Sequence, residues 1–246
     1  MPAATLPLPP QTLDGTALFL DFDGTLVELA EAPDAIRVSP DLPQLLARLG
    51  ERLSGRLAIV SGRAIRDLER YLSCRGLAVS GSHGLELRLV DGGFVPLAAP
   101  AGLEHARERA RHYAGSIPGL LFEDKPFSVA VHYRRTPERE TAVCEFMERL
   151  AAATGLALQH GKMVAEIRPT GADKGDAVRA LMMEPTFAGA RPLFVGDDLT
   201  DENAFRAAAA LGGGGVLVGP ARDSAAQWRL DGVPDVKAWL ERLAGA

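Results

Sequence analysis

Cysteine, long apolar stretches and clustered positive charge are all scarce in this chain, and each scarcity closes off a class of protein. The two cysteines, Cys74 and Cys144, stand apart from any C-x-x-C pair or histidine at ligand spacing. That excludes a disulfide framework and a zinc site, and both thiols are expected as reduced core residues. The longest uncharged stretch, residues 207–221, contains four consecutive glycines. It falls short of the ~18 apolar residues of a membrane span and reads as a helix end, a glycine turn and a buried strand. The opening dozen residues are proline-rich with no lysine or arginine, which fits neither a signal peptide nor a targeting helix. A cytoplasmic location is the expectation. Lysine and arginine form no stripe and the net charge is a mild −5, so neither nucleic acid nor an anionic membrane is expected as partner. A monomer acting on a small molecule is expected instead.

What is present points to a folded α/β protein. Hydrophobic residues at 47% and charged residues at 24% exclude a disordered or collagen-like chain. The 246 residues suit one full domain carrying a smaller insert. Residues 17–20 and 57–60 are apolar runs ending in polar turns, which predicts two buried parallel strands. Between them Leu42, Leu45, Leu46 and Leu49 recur at helical spacing, with Gly50 placed to end the helix. The pattern returns near the end: helix over 174–183, strand over 193–195, helix over 201–210, strand over 216–218 and a closing helix over 235–243. Both ends of the chain therefore belong to a doubly wound, Rossmann-like parallel sheet.

The middle has another rhythm. A charged helix is predicted over 104–114, and a strand over 128–134 alternates Val129, Val131 and Tyr133 with Ser128, Ala130 and His132. Residues 138–153 place Val143, Phe146, Met147 and Leu150 on one helical face, and 156–167 reads as a hairpin turning at Gly161. This predicts an α+β insert at about residues 101–171, with 1–100 and 172–246 forming the core.

Asp21-Phe22-Asp23-Gly24-Thr25 follows the first strand directly, which puts two carboxylates where open α/β sheets bind ligands. One can serve as a nucleophile toward phosphorus while the other acts as general acid and then general base. Gly24 permits a tight turn. Alone, the motif is equally compatible with a solvated turn. Gly196-Asp197-Asp198-Leu199-Thr200-Asp201-Glu202 brings four acids within six residues after another strand, which favours a hard cation such as magnesium. The alternative, an ordinary acidic helix start, suits Glu202 and explains Asp197 and Asp198 poorly. Ser61 opens a helix start where it can hold a phosphate oxygen or merely cap. Arg63 beside it is a candidate for phosphate or sugar contact. Lys174 opens a later helix, where it can neutralise a phosphoryl group or be a surface charge.

The ordered set of strand-D-x-D-G-T, strand-S-G-R, helix-opening lysine and strand-G-D-D resembles the haloacid dehalogenase superfamily of aspartate-nucleophile phosphatases. The resemblance implies Asp21 as nucleophile, Asp23 as acid/base, and Ser61 and Lys174 as phosphate ligands. It implies magnesium held by carboxylates of Asp21 and Asp197 and the main-chain carbonyl of Asp23. A closer likeness lies in Gly81-Ser82-His83-Gly84-Leu85-Glu86, Glu123-Asp124-Lys125, His132-Tyr133-Arg134, the acidic segment 196–202, and 228–236 through to Trp239-Leu240. Together these are similar to the trehalose-6-phosphate phosphatase family, from Leu18 onward.

In that family the insert is a cap domain, and the matching sugar-gripping residues here are Glu123, Lys125, Arg134 and Glu166. By composition alone Glu123, Lys125 and Glu166 read as exposed charge. His83 stays open between a phosphate-side contact and a buried, hydrogen-bonded residue. The rivals are a capped phosphatase of sucrose 6-phosphate or of a glycosyl-3-phosphoglycerate, a phosphosugar mutase, and a catalytically silent sugar-phosphate sensor. A second phosphate-binding segment, which a mutase needs, is not apparent, and the intact acids and Lys174 argue against a silent sensor.

Overall fold

The computed structural model describes residues 6–29, 36–72, 74, 76–95, 101–125, 127–161, 163–169 and 173–245. The chain divides into two compact units, Met1–Leu97 with Ala172–Ala246, and Ala98–Gly171.

The first unit begins with β1 (Thr16–Leu20), α1 (Leu42–Arg52), β2 (Leu57–Val60), α2 (Ile65–Leu68), β3 (Ala78–Gly81), β4 (Glu86–Arg88) and β5 (Phe94–Val95). In the second unit follow α3 (Leu103–Gly115), β6 (Leu121–Asp124), β7 (Val129–His132), α4 (Glu140–Thr154), β8 (Ala157–Gly161) and β9 (Val164–Arg168). The first unit closes with α5 (Lys174–Met182), β10 (Arg191–Gly196), α6 (Glu202–Ala210), β11 (Gly214–Val218), β12 (Trp228–Leu230) and α7 (Val233–Ala244).

The large sheet runs β12-β11-β10-β1-β2-β3-β4-β5. It is parallel from β12 to β3 and antiparallel only where β4 and β5 extend it. Side chains alternate across a strand, so β1 feeds two cores. Leu18 and Leu20 pack with Leu45, Leu46 and Leu49 of α1 and Val236, Trp239 and Leu240 of α7. Ala17 and Phe19 pack with Val178 and Leu181 of α5 and Phe205 of α6. Helices cover both faces, as a parallel sheet buried on both sides requires. Among the described residues no helix is long and apolar enough to cross a membrane.

The second unit is a four-stranded antiparallel sheet, β6-β7-β9-β8. Val129, Val131, Tyr133, Ala165 and Ile167 share a core with Ala106 and Ala110 of α3 and Val143, Met147 and Leu150 of α4. The pairing register puts Glu123, Ala130, Glu166 and Gln159 in one row across the sheet.

Several expectations need correction. Gly161 is not the turn of the hairpin: it ends β8 paired with Val164, and Met163 carries the positive φ of 63°. Gly214 and Gly215 belong to β11 rather than to the glycine turn. A side chain on Gly215 would overlap the Phe205 ring, so helix-to-strand packing is what demands glycine there. Cys144 is only half-buried, whereas Cys74 is buried. Phe146 is half-buried on α4, stacked on Tyr113 at 3.8 Å between ring centroids.

The closing helix locks the first core. Trp239 is fully buried, and its indole N–H donates to the Pro10 carbonyl at 2.9 Å, tying the N-terminal segment to α7. Trp239→Ala is expected to cost about 3–5 kcal/mol, the usual loss for a buried large aromatic. Urea unfolding followed by circular dichroism checks this, and a loss under about 1 kcal/mol would contradict the packing role.

Candidate active site

Register brings the chemistry together. β1 pairs in parallel with both β10 and β2, with Leu20 opposite Val195 and Ile59. Asp21, Asp197 and Ser61 therefore each lie just beyond the C-terminal end of one of three neighbouring strands. The Asp21 N–H continues the ladder to the Val195 carbonyl at 2.9 Å. In open α/β sheets this edge is where ligands sit.

At its centre is a buried ion triad. Lys174 Nζ lies 2.8 Å from Asp21 Oδ1 and 2.6 Å from Asp201 Oδ1, and all three residues are 3% exposed or less. Lys174 opens α5 behind a capping box in which Asp173 and Asp176 bond reciprocally to each other's backbone N–H. That helix start directs the ammonium inward. Burial opposes the Lys174 charge, but Asp21 and Asp201 outweigh it and raise its pKa. Burial raises Asp21 well above the usual carboxylate range against the pull of Lys174, with Asp201 adding to the rise. Two carboxylates compete for one ammonium.

Asp197 adds a third carboxylate. Oxygens of Asp21, Asp197 and Asp201 lie within 4.8 Å of one another. Burial, then the neighbouring Asp201, pushes Asp197 up to about 6. Thr25 is buried and donates to Asp197 Oδ1 at 3.4 Å. Gly24, at φ +78°, has room for no side chain, because a Cβ would overlap the Asp197 carboxylate. This close approach and the positive φ both require glycine. An oxygen-rich cluster with more negative charge than its ammonium offsets suits a hard divalent cation. Asp201 is the least available of the three, since it also accepts from the Asp198 N–H at 2.9 Å.

Asp23 faces a different partner. Arg63 grips it through both carboxylate oxygens, Nε to Oδ2 at 2.6 Å and Nη2 to Oδ1 at 2.7 Å. The guanidinium also lies over Phe22 and Tyr71, at 5.8 and 5.7 Å from the ring centroids. Ser61 is buried, and its Oγ accepts from the Arg63 N–H at 3.1 Å. His83 occupies a left-handed turn at φ 58°, its N–H bonded to the Ser61 carbonyl at 3.1 Å. A Cβ on Gly62 would strike the His83 imidazole, so the two loops fit closely. Glu86 ties them together, accepting from Ser82 Oγ and from the Ile65 N–H, both at 2.8 Å.

Within the second unit, a polar chain runs across one face of the sheet. His132 Nε2 lies 2.7 Å from Glu123 Oε2. Lys125 Nζ lies 4.0 Å from Glu123 and 2.9 Å from Glu166, and Ser128 Oγ donates to Glu166 Oε1 at 2.5 Å. Glu123, Lys125 and Glu166 are thus one cluster. Arg134 is exposed just past the end of β7, and its side chain has no bond or ion pair to that cluster among the described contacts.

The family model for trehalose-phosphatase matches residues 19–234. The chain belongs to the trehalose-phosphatase family. It is 44% identical over 210 residues to a probable trehalose-phosphate phosphatase of Sinorhizobium fredii, covering 85% of this chain and 79% of the relative. To the trehalose-6-phosphate phosphatase of Escherichia coli it is 38% identical over 232 residues, covering 94% and 87%. The solved C-terminal domain of the Candida albicans trehalose-6-phosphate phosphatase superposes with a TM-score of 0.74 at 26% identity, covering 100% of this chain and 99% of that one.

Three residues carry more than their sequence context suggests. Asp201 reads as an acidic helix start, yet it is fully buried against Lys174. Ser128 reads only as a polar position of an alternating strand, and His132 as that and as part of the family-like His132-Tyr133-Arg134 run, yet each engages a glutamate of the cluster. Only the i, i+2 rhythm of β7, which aligns them with Ala130 and hence with Glu123 and Glu166, hints at it.

The raised Asp197 pKa has a consequence for stability. Its neutral form favours the fold below the ordinary value of 3.8, and that contribution is lost as pH rises through about 6. Asp197→Asn, which cannot ionise, should therefore be more stable than the wild type in metal-free buffer above about pH 7, by about 1–2 kcal/mol after solvent screening. The gap should close toward about pH 4. Urea midpoints across this range test it, and a gap independent of pH would contradict it.

Proposed function

We propose that this chain hydrolyses trehalose 6-phosphate to trehalose and inorganic phosphate through an aspartyl phosphate on Asp21. The observation that carries the reading is Lys174 buried against Asp21 at a sheet edge in a chain of this family. Asp21 attacks phosphorus in line, its carboxylate oxygen forming the new bond as the bond from phosphorus to the sugar oxygen breaks. Asp23 gives its proton to that departing oxygen. Asp23 then takes a proton from a water, the water oxygen bonds to phosphorus, and the Asp21–phosphorus bond breaks to release phosphate. Both Asp23 oxygens are engaged by Arg63, so Arg63 yields at least one of them during this exchange.

Lys174 and Ser61 are proposed to hold the non-bridging phosphate oxygens, with Arg63 and His83 bordering the same loops. Carboxylates of Asp21 and Asp197 and the main-chain carbonyl of Asp23 are proposed to hold magnesium. When bound, this cation orients the phosphate and offsets negative charge around it. Lys174 stays charged throughout, because Asp201 keeps its second side occupied at 2.6 Å.

The second unit is proposed to act as a cap that recognises the sugar. Sugar hydroxyls both donate and accept, so a row of carboxylates braced by a lysine can fix their orientation. Glu123, Lys125 and Glu166 supply that row, with Arg134 as a further contact.

Glu123→Ala, Lys125→Ala and Glu166→Ala should each lower kcat/KM for trehalose 6-phosphate roughly ten- to over a hundredfold, equivalent to about 1.5–3 kcal/mol for a hydrogen bond to a charged group. A small aryl phosphate, which lacks the sugar, should be turned over at the wild-type rate. Asp21→Asn should abolish both. Equal losses on both substrates in the cap variants, or a wild type that prefers another sugar phosphate, would overturn the substrate assignment.

A further inference from the structure

The segment between β11 and β12, residues 219–227, carries an arginine that no part of the proposed chemistry uses. Arg222 extends from this segment to the turn that follows β10. Its Nη2 donates to the Asp198 carbonyl at 3.0 Å and to the Asp197 carbonyl at 3.4 Å. Its Nη1 pairs with Glu202 Oε1 at the start of α6 and donates to its own neighbour's carbonyl, that of Asp223, at 3.2 Å. Glu202 is held from the same segment twice more, by Ser224 Oγ and the Ala225 N–H, both at 2.8 Å. One guanidinium thus spans the end of β10 and the start of α6, the two supports of the acidic turn.

The other ties of that turn to distant elements run through side chains, Lys174 to Asp201 and Thr25 to Asp197, while its main chain is braced from within. Asp198 Oδ1 accepts from the Leu199 N–H at 2.5 Å, and Asp201 Oδ2 accepts from the Asp198 N–H at 2.9 Å. Neither bond links the turn to a distant element. Leu199, at the apex, is 71% exposed. The Arg222 fork is what joins the main chain at Asp197 to a separate part of the sheet. Its position is itself constrained, because Arg222 is 24% and Glu202 10% exposed in their side chains.

We propose that Arg222, seated on Glu202, is a positioning residue for the cation: it fixes the main chain of Asp197 and Asp198 so that the Asp197 carboxylate meets the ion. The inference rests on the reading that Asp21 and Asp197 hold magnesium. Arg222 touches neither the ion nor the substrate and acts through the backbone of a ligand. Removing its positive charge would, by electrostatics alone, make the acidic site more attractive to a cation. Removing its hydrogen bonds loosens the ligand's support. The two effects have opposite signs, and outer partners of metal ligands usually act through geometry, at ten- to a hundredfold in affinity.

Calorimetric titration of the full chain with magnesium, alongside magnesium-dependent thermal stabilisation, separates these outcomes. Arg222→Ala should bind magnesium roughly ten- to a hundredfold more weakly than the wild type. Arg222→Lys should recover only part of that, because a point ammonium cannot bridge a carboxylate and two carbonyls as a planar fork does. Glu202→Gln, which removes the charge and turns one of the two acceptor oxygens into an N–H donor, should weaken binding in the same direction by less, and it carries the test if Arg222→Ala does not fold. Unchanged or tighter magnesium binding in a folded Arg222 variant, with only its metal-free stability reduced, would make Arg222 a loop brace and overturn the inference. A wild type that binds no magnesium would instead overturn the metal reading on which it rests.

Discussion

Placing an ammonium 2.8 Å from Asp21 and 2.6 Å from Asp201, with all three groups out of solvent, constrains the rest of the first unit. A buried charge is tolerated only when paired and hydrogen-bonded, and loss of one partner costs several kcal/mol. The triad therefore needs three independent elements to arrive in register: the end of β1, the start of α5 and the turn before α6. The parallel pairing of β1 with β10 supplies the first alignment. The Asp173 capping box supplies the second, and the turn in which Asp201 bonds back to the Asp198 N–H supplies the third. What remains is an excess of negative charge at the sheet edge, which the proposed cation would offset so that a phosphate could approach.

Around this centre, arginines decide which acids are available. Asp23 is held by Arg63 and Glu202 by Arg222, while the side-chain carboxylates of Asp21 and Asp197 have no arginine partner among the described contacts. Four neighbouring acids are thereby sorted into distinct environments. The same logic recurs in the second unit, where Lys125 lies between Glu123 and Glu166 and keeps two glutamates on one exposed face. Opposite charges placed between like ones hold acidic side chains in fixed orientations at little cost in stability.

Much of this was legible in the sequence, and the boundary has a physical cause. An apolar run ending in Asp21-x-Asp23 announces a strand end, and the repeated strand and helix spacing announces the doubly wound sheet that β1, β2, β10 and β11 form. Short-range patterns carry such features. Pairings across 40 residues, as between Arg63 and Asp23, or across 20, as between Arg222 and Glu202, leave no local trace, because any surface arginine looks alike until the fold chooses its partner. Asp201 was obscured for the same reason, since an acid at a helix start is ordinarily solvated. The short strands β3, β4, β5, β6 and β12 escaped because two to four residues carry too little periodicity without an unbroken apolar run such as that of β2.

The central claim is that Asp21 carries the phosphoryl group covalently. Rapid acid quench of Asp23→Asn with a phosphorus-labelled aryl phosphate tests it most directly, because that variant lacks the base for the second step while the good leaving group needs no acid. The account predicts a burst of aryl alcohol matched by one protein-bound phosphoryl group per chain, labile to hydroxylamine and mapping to the peptide that contains Asp21. Release of aryl alcohol without matching label, or label on another residue, would contradict it.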